Sequence, residues 1–87
     1  MSKIQKIAVE NEFPNPIILC IEPWATEYGM KSGEQFDIVP ANEKDTYYFH
    51  LVFEPSRITV FVEGSGVSYP QVLQGGQLLE YGHNRFE

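Results

Sequence analysis

A chain of 87 residues and 10.0 kDa with a formal charge of −6 has room for one domain, residues 1–87, around a thin core. Its six basic residues, Lys3, Lys6, Lys31, Lys44, Arg57 and Arg85, are scattered; phosphate recognition needs clustered cations, so nucleic acid and an anionic membrane surface are not expected partners. Apolar residues at 43% and aromatics at 14% rule out low-complexity disorder, and no apolar run approaches the roughly 18 residues of a membrane helix.

The opening MSKIQKIAVE has no long apolar segment of the secretory kind, and Cys20 is the single cysteine, so a reducing, cytoplasmic setting is expected. No segment carries a sustained 3.6-residue apolar period. Period-two alternation recurs instead, broken by turn residues. A first strand is expected over residues 3–10, with Ile7 and Val9 on one face. Residues 11–16, NEFPNP, contain two prolines and must form a loop or corner. IILCIE, Ile17–Glu22, is apolar almost throughout, as suits a strand covered on both faces. Pro23 has no N–H and ends its ladder.

A short strand is expected over residues 28–30, a turn over 31–34 with Gly33 at positive φ, and a strand over 34–39 with Phe36 and Ile38 inward. Residues 40–45 read as a polar loop. The strongest element is a hairpin over residues 46–63. With Pro55 and Ser56 central in the turn, Phe53 faces Ile58, Leu51 faces Val60, Phe49 faces Val62 and Glu54 faces Arg57, giving one apolar face. The other face carries Tyr48, His50, Val52, Thr59 and Phe61, more apolar than a solvated face needs.

Gly64, Ser65 and Gly66 break the chain. Residues 67–73 read as a strand, an edge one because of Pro70. Gly75-Gly76 announces a second hairpin pairing Leu73 with Leu78 and Val72 with Leu79. After Tyr81 the chain reads as a fraying tail, in which Phe86 can still dock. The sum is all-β: a compact antiparallel β-sandwich or partly open barrel of about seven or eight short strands with no substantial helix.

Candidate chemistry is sparse. Cys20, Met30, His50 and His83 are in the wrong order and too far apart for a copper site, and no zinc motif occurs, so no metal or cofactor is expected. Ser65 lies in a β–β turn and not on a nucleophile elbow. Cys20, between Leu19 and Ile21, reads as buried. No residues therefore stand out as catalytic, and an enzyme is not expected.

The stretch EPWATEYGM holds the only tryptophan. Trp24 and Tyr28, with Glu22 and Glu27 as acceptors, can form an aromatic platform for a sugar or other small ligand. The competing and preferred reading makes Trp24 a lid on the core, with Tyr28 and Met30 packed beside it.

The order of features in PIILCIEPWATEYGMKSGEQFDIV, preceded by Asn11, resembles a family of small, stand-alone bacterial β-proteins with an Asn…Pro-Val…Glu-Pro-Trp…Tyr…Pro-Gly-Glu pattern. The resemblance covers residues 11–39 and, weakly, the Gln-Gly-Gly-Gln hairpin. This chain departs at Lys31-Ser32-Gly33, where the family often has Pro before Gly, and at Ala25, often Gly. The resemblance implies a compact β-sandwich and no reaction, cofactor or catalytic residue. The expected function is therefore non-enzymatic: protein contact, with a protein partner or a second copy, through Tyr48, Val52 and Phe61. The alternative is ligand binding at Trp24 and Tyr28.

Overall fold

The computed structural model describes residues 6–41, 47–64 and 68–84. These form eight strands in two four-stranded sheets and no helix. One sheet has the order β1-β4-β7-β8 and the other β3-β2-β6-β5. The strands are β1 (Ile7–Glu10), β2 (Ile17–Glu22), β3 (Thr26–Met30), β4 (Gln35–Val39), β5 (Tyr47–Glu54), β6 (Arg57–Gly64), β7 (Gln71–Gln74) and β8 (Gln77–Leu78). The core lies between the sheets: Val9, Phe36, Ile38 and Val72 from one, Ile17, Leu19, Ile21, Tyr28, Met30, Ile58, Val60 and Val62 from the other. The chain is thus a small β-sandwich and not a closed barrel.

Both hairpins take the register their apolar patterns require. Phe49 lies opposite Val62, Leu51 opposite Val60, Phe53 opposite Ile58 and Glu54 opposite Arg57. Leu73 lies opposite Leu78, and the Leu79 amide donates to the Val72 carbonyl at 2.8 Å. Gly75 and Gly76 both have positive φ, 58° and 84°, as a type I′ turn demands.

Several expectations need correction. One pairing is parallel: β6 lies beside β2 in the same direction, with Leu19 against Ile58 and Ile21 against Val60. Parallel neighbours need a long crossover, and here the chain passes through β3, β4 and β5 before β6 returns. The strand expected over 28–30 begins earlier, at Thr26. The strand expected over 67–73 is displaced to Gln71–Gln74, and it is not an edge, since β4 and β8 flank it. Pro70 is buried just ahead of the ladder, where its missing N–H costs nothing. Residues 1–5 and 65–67, most of the 40–45 loop, and Phe86 fall outside the described residues.

The expected fraying tail is instead an ordered turn as far as Asn84. The Gly29 amide donates to the His83 carbonyl and the Gly82 amide to the Glu27 carbonyl, each at 2.7 Å. This turn therefore occupies the free edge of β3. Glu34 fastens it. One carboxylate oxygen accepts from the Lys31 amide at 2.7 Å and from Asn84 Nδ2 at 2.9 Å, the other from Gln74 Nε2 at 2.9 Å.

Candidate functional site

Strand alternation decides which side chains share the outer face of the β3-β2-β6-β5 sheet. Ile17, Leu19 and Ile21 enter the core, so Ile18, Cys20 and Glu22 face outward. The pairings then set three rows. Gly29, Ile18, Arg57 and Glu54 form one; Glu27, Cys20, Thr59 and Val52 the next; Glu22, Phe61 and His50 the third. Tyr48 lies beyond, opposite Glu63.

The centre of this face is closed. Cys20 and Thr59 are buried. Arg57 Nη2 donates to Glu27 Oε2 at 2.7 Å, an ion pair that spans β2 diagonally beside Cys20. Burial pushes the Cys20 thiol above its ordinary range, against the opposing pull of the Arg57 charge. The hydrogen bond that Arg57 donates to Glu27 raises the guanidinium above its ordinary range. The flank over β5 is open: Tyr48 is 63% exposed and Val52 38%. Phe61 is half-buried under the His50 ring, 5.6 Å between centroids, and His50 Nδ1 lies 3.3 Å from Glu63 Oε2. Tyr48, Val52 and Phe61 thus share one face, as their alternation requires.

The proposed platform does not assemble as the sequence suggested. Tyr28 is only 1% exposed, facing the core opposite its neighbours Glu27 and Gly29, so it offers no face for stacking. Its phenol bonds the Tyr69 hydroxyl, which also bonds Thr26 Oγ1 at 2.6 Å. Burial first, then the Tyr69 hydrogen bond, pushes the Tyr28 phenol far above its usual range, so it stays protonated and is no general base. Trp24 is half-buried against the core and meets Tyr69 edge-on, 5.0 Å between centroids. That matches the lid reading. The peptide bond between Glu22 and Pro23 is cis. Glu22 and Glu27 stand on the outer face instead, in the rows of Phe61 and Val52.

The residue that sequence reasoning missed is Tyr81. It is 69% exposed and lines two concavities. The larger, about 650 Å³, lies along Tyr69, Pro70, Gln71, Leu78, Leu79 and Glu80. The smaller, about 310 Å³, is bounded by Ile18, Ala25, Glu27 and Gly29. Only the ordering of the C-terminal turn puts Tyr81 there, 6.2 Å from Tyr69, and a Tyr before Gly-His-Asn carries no local signal of it. His83, in the same turn, packs edge-on against Phe36, 5.8 Å between centroids, with its Nε2 buried and unpartnered among the described residues.

No family model, curated protein or solved structure matches this chain. Among the described residues, no three His, Cys, Asp or Glu side chains gather as metal ligands, and no helix is long and apolar enough to cross a membrane. The geometry alone must therefore carry the functional reading.

Proposed function

We propose that this domain works by protein contact and not by catalysis, and that its contact surface is the outer face of the β5–β6 hairpin. The observation that carries this reading is the exposure of Tyr48 and Val52 on a strand already packed on its other face, beside half-buried Phe61. Aromatic anchors next to apolar neighbours are what binding hot spots are made of. Glu22 and Glu54 border the patch with no ion pair among the described residues, so a partner with an apolar centre and basic rim fits it. In Tyr48→Glu, partner binding falls by about 2 kcal/mol or more while the thermal melt is unchanged. Equal binding by wild type and variant in affinity capture from the native host overturns the reading.

The resemblance to small bacterial β-proteins stands alongside. Asn11 and Trp24, two of its marker residues, are built into the fold, and Ala25 has φ 57°, the backbone region that favours the family's usual Gly.

A second reading rests on the concavity of about 650 Å³ beside Tyr81, which falls within the size range of small-ligand sites. An exposed phenol flanked by Gln71 and Glu80 suits a sugar ring, stacked on one face and hydrogen-bonded at its rim. Trp24 touches Tyr69, which lines this cavity, so ligand titration should shift its emission. Unchanged emission together with no binding by calorimetry across mono- and oligosaccharides excludes this reading.

A further inference from the structure

We propose that two copies of this chain pair antiparallel through the free side of β5, with the two-fold axis at Val52, joining two four-stranded sheets into one. The proposal goes beyond the protein-contact reading: edge pairing leaves the outer face open, and the partner at the strand edge is a second copy.

The direction of the backbone groups comes first. The Ile18 amide donates to the Ser56 carbonyl at 3.0 Å, and Ile18 lies in parallel register with Arg57. Even-numbered residues of β6 therefore bond β2, and odd-numbered ones bond β5. Glu54, Val52 and His50, paired with Arg57, Thr59 and Phe61, spend their N–H and C=O groups on β6. Those of Leu51 and Phe53 point away from it, to a side where no described strand pairs.

The four sheet edges are not equivalent. β3 is occupied by the C-terminal turn. β8 has two residues, and β1 has four. β5 has eight, YYFHLVFE, with no proline or lysine and its only acid at the end. Edge strands are normally guarded by such residues or kept short. Phe53 sharpens the point: it lies on the core side yet is 70% exposed.

The register follows from which side chains come opposite one another. With the axis at Val52, Leu51 faces the partner's Phe53, Val52 faces its own copy, and His50 faces the partner's Glu54. Moving the axis to Leu51 sets His50 against Val52 and leaves Glu54 against Tyr48; moving it to His50 sets two imidazoles face to face. Only the Val52 register sets the His50 imidazole, a hydrogen-bond donor, opposite a carboxylate acceptor. The ladder then ends at Pro55, which has no N–H to give.

Sedimentation equilibrium on the full chain, from micromolar to millimolar concentration, tests the association. A concentration-dependent dimer is expected, and Phe53→Lys should weaken it by about tenfold or more, since an edge lysine opposes strand addition. A dilute thermal melt checks that this variant is folded. Independently, Val52→Cys should cross-link under mild oxidation, because residues facing one another across a non-hydrogen-bonded pair have Cα atoms about 4.5 Å apart, within disulfide reach. Tyr48→Cys, facing the partner's turn, should not. A monomer at every concentration, a dimer indifferent to Phe53→Lys, or equal cross-linking at both positions overturns the proposal. Tyr48-dependent capture of another protein by a strict monomer would leave the protein-contact reading standing and remove only the second copy.

Discussion

Asn11 shows how much one side chain can hold in a thin sandwich. It is fully buried, and each of its polar groups is used. Its Nδ2 donates to the Asn15 and Met30 carbonyls, its Oδ1 accepts from the Phe13 amide, its own amide donates to Glu34 and its carbonyl accepts from Gly33. The proline-rich corner is thereby tied to β3 and to the turn before β4. Asn11→Ala leaves the Met30 carbonyl without that donor, and a loss of about 2–4 kcal/mol in urea unfolding is expected. Cys20 makes a second prediction at this scale. It is buried, and burial raises its thiol above the ordinary range. Alkylation of the native protein at mildly alkaline pH should therefore track unfolding, with mass spectrometry showing rapid labelling only in denaturant. Burial of Cys20 was legible from its apolar neighbours; the role of Asn11 was not, because its partners lie up to 23 positions away at Glu34.

At the scale of elements, the two hairpins were the most readable parts. Alternation and turn chemistry are local, so Phe53 opposite Ile58 and Leu73 opposite Leu78 follow from neighbours in sequence. The β7–β8 turn can be tested directly. A Cβ at Gly76 would meet nothing, so its φ of 84° is the whole obstacle. Gly76→Ala should cost about 1 kcal/mol in a thermal melt from left-handed strain alone. The C-terminal turn is the opposite case. Nothing in Tyr-Gly-His-Asn announces that it will bond β3, because the bonds are made by the edge it meets. Pro70 misled for a related reason: a proline ahead of a strand and one inside an edge strand read alike until the ladder is known.

For the molecule as a whole, Glu34 links the turn before β4, β7 and the C-terminal turn, so its ionisation state acts on several elements together. Burial alone would raise its carboxyl, but the hydrogen bonds from the Lys31 amide and Gln74, with His83 and Lys31 nearby, outweigh that and hold it below the usual glutamate range. A carboxyl depressed in the folded state adds stability that is complete above its unfolded value, about 4.3, and is lost as the pH falls through the folded one. Stability measured by urea unfolding should therefore drop on acidification below about pH 4.3, and Glu34→Gln should flatten that limb while lowering stability at neutral pH.

The sequence by itself determined the all-β class, the faces of the long hairpin, the turns at Pro55 and at Gly75-Gly76, and the surface trio Tyr48, Val52 and Phe61. All of these follow from interactions between residues close in the chain. The tertiary structure decided which strands became neighbours. It set β6 parallel beside β2, moved β7 inside its sheet and placed the C-terminal turn on β3. It also divided EPWATEYGM, sending Tyr28 into the core, Trp24 against Tyr69, and Glu22 and Glu27 to the outer face. Period-two alternation fixes which way a side chain points relative to its own strand, but whether that side is core, solvent or another copy depends on what packs there.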